Sequence, residues 1–374
     1  MSPRPVVLVA SPSLDAVSGV TTHALSILRS PLRASFELRH FQVGSEGRAE
    51  GPLGRALRLA ASPFLLAVAI ARHGASVVHL NTSLNARAFW RDALYAAVAK
   101  LAGARVVLQK HGGRLDEFLR EAPPVLVRAV LRLADAVVVL SRAELAQFAR
   151  FVPGQHIELV PNGIDVSLYR RSHLAEPTKS APAGSREPLR LLYLGRLAGG
   201  KGLEEIVEAM ALLRARGVPA TLCIAGSGPM ETALRERVGA LDLAGVSFAG
   251  AAYGAHKVAL LAEADVLVLP SHAEGLPYAV LEAMAAGVVP VVTPVGALPD
   301  VIEEGVHGLF VPVRDAPAIA AALASLDADR PRLARLGAAA RRRAASAYSV
   351  ERLAAELGGV YSALASARAA KTVL

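Results

Sequence analysis

Two hydrophobic patterns alternate along the chain. Short runs of consecutive Val, Leu, Ile and Ala are separated by longer stretches in which apolar residues recur every three or four positions. The first pattern suits a strand buried on both faces of a parallel sheet, and the second suits an amphipathic helix. Strands are expected at 6–10, 35–43, 77–80, 105–109, 136–140 and 157–160, with helices at 21–28, 87–101 and 143–151. The series restarts with strands at 189–194, 220–225, 246–249, 266–269 and 288–292, and a helix at 278–286. Such alternation predicts an α/β chain of stacked βαβ units.

Between the two series, residues 171–188 are rich in Pro, Ser, Ala and charge and show no periodicity, which reads as a linker. The expected organisation is therefore a Rossmann-like domain at 1–170, the linker, and a second Rossmann-like domain at 189–348. A C-terminal helix at 349–374 is expected to cross back to the first domain. The Arg/Ala-rich tail from 331 to 370 reads as helix with a break near Ser349. Two doubly wound domains joined in this way are expected to turn the carboxyl ends of both sheets toward one central cleft, the edge at which open parallel sheets bind ligands.

Composition narrows the class. A chain of 374 residues, 53% hydrophobic and 20% charged, is a folded protein of about two domains and is not disordered. The single cysteine, Cys223, excludes a disulfide framework and a cysteine metal cluster, and its apolar surroundings read as a buried thiol in a reducing cytoplasm. The run at 6–10 is too brief for a signal-peptide core, and the apolar stretch at 63–71 falls short of the ~20 residues a spanning helix needs. No membrane crossing is expected. Charge is uneven: residues 1–170 hold 20 Lys+Arg against 12 Asp+Glu, whereas 171–374 hold 21 against 20. A basic first half fits an anionic substrate or an anionic membrane surface. Nucleic acid is not expected, since no binding motif or aromatic-interleaved patch accompanies the arginines.

Four constellations can carry chemistry. Ser18-Gly19 joins the first strand to the first helix, where a glycine lets a diphosphate approach backbone amides, and His23 lies one turn further on. Gln109-Lys110-His111-Gly112-Gly113 places a histidine at a strand's carboxyl end, within reach of a sugar hydroxyl or a developing charge. The loop from Gly195-Arg196 to Lys201-Gly202 offers a guanidinium and an ammonium to a leaving diphosphate, without the order of a Walker A loop. The segment Gly226-Ser227-Gly228-Pro229 lacks the last glycine of a dinucleotide fingerprint, so NAD is not expected. The strongest element is Ser271-His272-Ala273-Glu274-Gly275-Leu276-Pro277, which runs into the helix carrying Glu282. It sets one carboxylate at the sheet edge, backbone amides at a helix start, and a second carboxylate suited to a ribose diol.

With these elements in this order, the chain resembles the GT-B glycosyltransferases of the group-1 type, glycosyltransferase family 4. The resemblance runs through Ser18-Gly19-Val20, His23, His111-Gly112, Pro161-Asn162-Gly163-Ile164-Asp165, Gly195-Arg196, Lys201, Gly226 to Pro229, and Glu274-Gly275-Leu276-Pro277 through Glu282. It implies that Arg196 and Lys201 hold the donor diphosphate, that Glu282 binds the ribose, and that Glu274 lies beside the transferred sugar. Gly275, Leu276 and Pro277 then touch sugar and phosphate through their backbone. His111 sits near the donor sugar, and Gly19 faces diphosphate and acceptor. Two departures stand out: Ser18-Gly19 replaces a double glycine, and Glu-Gly-Leu-Pro replaces the commoner Glu-Gly-Phe-Gly.

The implied reaction is retaining transfer of a hexose from a nucleotide diphosphate sugar to a hydroxyl, with a lipid-linked saccharide as the expected acceptor. No cofactor or metal is expected. The Asp327-Ala328-Asp329 segment reads as a surface turn between helices. A two-carboxylate hydrolase does not fit, because Glu274 and Glu282 lie on one loop-helix unit. The alternatives are a non-catalytic sugar-nucleotide-binding protein and a soluble small-molecule glycosyltransferase. The expected location is cytoplasmic, peripheral at the inner face of the cytoplasmic membrane.

Overall fold

The computed structural model of the chain describes residues 4–16, 18–45, 50–169 and 187–372, with side chains described up to residue 366. Apart from Glu187 and Pro188, the linker expected at 171–188 lies outside the described residues. The chain divides into two compact units, one ending at Gly163 and resuming at Val350, the other spanning Ile164 to Ser349.

The first unit contains β1 (Val6–Ser11), α1 (Gly19–Arg29), β2 (Glu37–Gln42), α2 (Pro52–His73), β3 (Val77–Ser83), α3 (Ala86–Leu101), β4 (Arg105–Gly112), α4 (Leu115–Glu121), α5 (Pro124–Leu133), β5 (Ala136–Val139), α6 (Arg142–Phe151) and β6 (Ile157–Leu159). The strands form one parallel sheet in the order β2-β1-β3-β4-β5-β6. Period-two alternation sorts its side chains between two cores. Leu8, Ala10, Val78, Leu80, Val106 and Leu108 pack with Leu66, Phe89, Tyr95 and Phe118 on one face. On the other, Val7, Val9, Val77 and Val107 pack with Ala24 and Ile27 of α1 and with Leu353, Leu357 and Tyr361 further along the chain.

The second unit contains β7 (Leu189–Leu194), α7 (Leu203–Ala215), β8 (Ala220–Ala225), α8 (Glu231–Ala240), β9 (Val246–Gly250), α9 (Gly254–Glu263), β10 (Val266–Leu269), α10 (Tyr278–Ala286), β11 (Val289–Val292), α11 (Leu298–Val301), β12 (Leu309–Phe310), α12 (Ala316–Ala328) and α13 (Arg330–Ala347). Its parallel sheet has the order β12-β11-β10-β7-β8-β9. The final helix, α14 (Val350–Thr372), supplies Leu353, Leu357 and Tyr361 to the first unit's core. Both units are Rossmann-like doubly wound sheets, and together they make a GT-B fold. Sheet order reverses at β1 in the first unit and at β7 in the second, and such switch points open a crevice at the carboxyl ends of the strands.

Three local expectations need correction. Helix α2 runs for 22 residues through Pro63, whereas the sequence suggested only an apolar stretch from that proline onward. An interior proline usually marks a break, but here Pro52 starts the helix at its first turn and Gly74 ends it in the left-handed region at φ 60°. Among the described residues it is the one helix long and apolar enough, by length and composition, to cross a membrane. Asp327 is not on a surface turn. It is 3% exposed at the end of α12 and accepts a bond from Arg330, while Asp329 caps α13 through the Arg332 amide. Cys223 is half-buried, not buried, and burial raises its thiol pKa.

Candidate active site

In the second unit, four loops leave the carboxyl ends of the strands and lock onto one another. The two beside the switch point, Gly195 to Gly202 after β7 and Pro270 to Pro277 after β10, are joined through backbone. The amide of His272 donates to the Gly200 carbonyl at 2.8 Å. Gly202, at φ +72°, packs so closely that an added Cβ would lie 2.3 Å from the Pro270 carbonyl oxygen. The loop after β8 closes on the first of these: the Leu197 amide donates to Ser227, and a Cβ on Gly226 would fall 1.8 Å from the Gly195 oxygen. The loop after β11 fastens the other. Gly296, at φ +60°, turns beneath Glu274 and Gly275, and the Ala297 amide donates to the Gly275 carbonyl. These glycines are explained by close backbone approach, which a larger residue would block.

Across this frame Lys201 Nζ reaches Glu274 Oε1 at 2.6 Å, with the carboxylate 12% exposed and the lysine 29%. Such a pair keeps both charges in a poorly hydrated place where neither would be stable alone. Arg196, on the same loop, is exposed and makes no ion pair among the described residues. Tyr193 donates its hydroxyl to the Arg196 carbonyl at 2.8 Å and fixes that turn. Burial, with the Glu274 charge, raises its pKa, so the phenol stays a donor.

Helix α10 begins after Pro277, which leaves its first turn without a side-chain cap, and it buries eight of its nine residues. Leu276 is buried, whereas Gly275 and Pro277 are partly exposed at the helix entrance. Glu282 is 3% exposed, and its Oε1 accepts from Lys257 Nζ at 2.6 Å. Burial pushes its pKa up, opposed by Lys257 and by the Tyr169 hydroxyl. Glu274 and Glu282 are thus held by different lysines, Lys201 of the loop after β7 and Lys257 of α9, not as a carboxyl pair. Lys257 and Tyr169 escaped sequence reasoning, because α9 and the turn at Val166–Tyr169 reach α10 only through tertiary packing. His272, paired with Glu205 at 2.9 Å, was visible in the motif but had no assigned partner.

In the first unit, His111 is the penultimate residue of β4 and its Nε2 lies 2.7 Å from Asn81 Oδ1. Asn81 in turn donates Nδ2 to the Ala10 carbonyl, which fixes its amide and assigns the proton to Nε2 of His111. The His23 ring lies 4.5 Å from His111, centroid to centroid, and its Nε2 bonds Gln109. Burial lowers the His23 pKa to about 4 and that of His79 to about 3, and His111 is lowered well below its usual value by burial first and then by the nearness of His23, His79 and Lys110. All three imidazoles are neutral near pH 7. His23 is therefore a core histidine. Gly19 opens α1 beside the Ser18 cap and has nothing within 4 Å of a built Cβ, so the space next to it is clear. Gly113, in contrast, is fixed by φ +79° and by contact with Leu84.

Two family patterns match most of the chain, one in each half. "Glycosyltransferase Family 4" covers residues 17–168, and "Glycosyl transferases group 1" covers 177–343. A GDP-mannose-dependent alpha-(1-6)-phosphatidylinositol monomannoside mannosyltransferase of Mycobacterium tuberculosis is 32% identical over 281 residues, 71% of each chain. The chain belongs to the group-1, family 4 glycosyltransferases. Glycogen synthase of the same organism is 31% identical over 261 residues, 68% of this chain and 60% of that one. Among solved structures, sucrose-phosphate synthase from Thermosynechococcus elongatus superposes with TM-score 0.77 at 22% identity over 97% of this glycosyltransferase and all of that chain. Anabaena HepE in complex with UDP-glucose gives 0.73 at 19% identity over 96% and 99%. At these identities the structural likeness speaks to fold alone.

Proposed function

We propose that this glycosyltransferase is a retaining hexosyltransferase that uses a nucleotide diphosphate sugar. The observation that carries the reading is the Lys201–Glu274 contact, which joins the two loops at the second unit's switch point. A donor diphosphate is to be met by Lys201, Arg196 and the amides of Gly275, Leu276 and the α10 N-terminus, which stabilise the charge that grows as it leaves. Glu282 is to accept from the ribose hydroxyls, and Glu274 to orient the sugar. In the first unit, His111 and Gly19 are to serve the transferred sugar and the acceptor. The C1–phosphate bond breaks as C1 bonds the acceptor oxygen on the same face, and the acceptor proton passes to the departing phosphate oxygen. No protein nucleophile is required, and no metal or other cofactor is invoked.

Relatives with nucleotide sugars in their names or complexes support the donor class but differ in base, GDP-mannose in one and UDP-glucose in another. The mycobacterial relative's name supports a lipid-linked saccharide as acceptor. The net +8 of residues 1–170 supports work at an anionic membrane surface, peripheral to its cytoplasmic face.

The test is transfer from an α-configured donor, followed by NMR of the first-formed product. An α-linked product is expected, unchanged in rate by a chelator; a β-linked product would overturn retention. A protein that binds the donor and transfers nothing would instead be a sugar-nucleotide-binding protein.

A further inference from the structure

Helix α2 has two apolar stripes, and the fold covers one of them. Ser62, Leu66 and Ile70, four apart, are its buried residues, and the latter two join the core beneath the sheet. On the opposite side, at the i, i+4, i+7 spacing of a single helix face, stand Leu53, Leu57, Ala60, Phe64, Val68 and Ala71, all exposed. Leu53 is 73% exposed, Leu57 64% and Phe64 70%. At ~1.5 Å per residue this stripe is about 27 Å long. Contiguous apolar surface on that scale marks an interaction site.

Charge on the surrounding helices points to the partner. Helix α3 packs on α2 and exposes Leu94 and Leu101, and α5 packs on α3 and exposes Val125 and Leu126. Of the eight Lys and Arg residues across α2, α3 and α5, Arg58, Arg91 and Lys100 pair with Glu50, the buried Asp92 and Asp135, and Arg55, Arg72, Arg87 and Arg132 are exposed cations. A second copy of this surface would bring like charges together. An anionic lipid surface matches both the apolar stripe and the cations. Burial of Leu66 and Ile70 against the sheet ties the helix to its unit, so it suits lying in a bilayer and not spanning it.

We propose that α2 docks in the plane of an anionic bilayer, with Leu53, Leu57, Phe64 and Val68 among the acyl chains and the neighbouring arginines at the phosphates. This deepens the membrane-surface reading above and rests on it.

The test uses the full chain with vesicles of phosphatidylglycerol and phosphatidylcholine, or of phosphatidylcholine alone, read by co-sedimentation. The wild type is expected to bind the anionic vesicles, less so in high salt. L57E/F64E is expected to bind at least ten-fold more weakly, with Phe64→Trp retaining binding. Both residues are exposed, so transfer to a water-soluble acceptor should proceed at the wild-type rate in the double variant. Wild-type protein that ignores anionic vesicles would overturn the membrane reading itself. Wild-type binding that the double variant matches would leave that reading standing and overturn the role of α2. A wild-type dimer that L57E/F64E converts to monomer would show that a second copy, not lipid, covers the stripe.

Discussion

At the scale of single residues, the buried charges and imidazoles make distinct demands. Glu282 is the case where burial and pairing oppose each other: burial raises its pKa and Lys257 lowers it. Removing the lysine, as in Lys257→Met, should leave the carboxyl protonated to higher pH, and a protonated carboxyl loses an acceptor site. Donor affinity in that variant is expected to weaken progressively as pH falls, while the wild type holds its affinity over the same range. Calorimetric titration at several pH values checks this. Lys201→Ala and Glu282→Ala are each expected to slow transfer at least about 100-fold, the scale on which loss of a charge-stabilising donor is felt; normal rates in both would remove the assignment. The histidines act on stability. His23 is held neutral down to about pH 4, so the unfolded chain takes up its proton first as pH falls below about 6.5. Stability is therefore full above that range and declines as pH falls from about 6.5 toward 4, by up to about 3 kcal/mol from His23 alone. Urea unfolding across that range should show a slope that His23→Asn flattens.

Elements show why some features were legible in sequence and others were not. The strands β7 and β10 lie where their apolar runs place them, because a strand buried on both faces is apolar at nearly every position. Helix α2 was concealed by Pro63, a local signal overruled by the tertiary packing of Leu66 and Ile70. That division can be measured. Leu66→Ala is expected to cost about 2–5 kcal/mol as a core truncation, whereas Phe64→Ala on the exposed stripe should change stability by less than about 0.5 kcal/mol. Gly202 gives a backbone counterpart. Its φ of +72° and the 2.3 Å approach to Pro270 mean that Gly202→Ala must displace the loop bearing Lys201. A loss of at least about 2 kcal/mol is expected by denaturant unfolding.

On the scale of the whole molecule, the first unit is discontinuous in sequence. Helix α14 returns Leu353, Leu357 and Tyr361 to its core, with the Tyr361 hydroxyl bonded to His79. Truncation at Ser349 is thus expected to expose that core and unfold the first unit, seen as loss of the cooperative transition in its melting curve. The break at Ser349 was readable, as was the restart of the pattern at Leu189, so the two-unit plan could be drawn from periodicity. The residues that support the glutamates could not be, since Lys257 meets Glu282 and His272 meets Glu205 only through the fold. What membership of the family leaves to be measured is the donor. The most direct measurement is a calorimetric titration of the purified chain with UDP-, GDP- and ADP-sugars, repeated with Lys201→Ala. At least one nucleotide sugar is expected to bind the wild type saturably, and the variant to lose at least about ten-fold in affinity, about 1.4 kcal/mol; equal affinity in both proteins, or no binding of any nucleotide sugar, would contradict the site assignment.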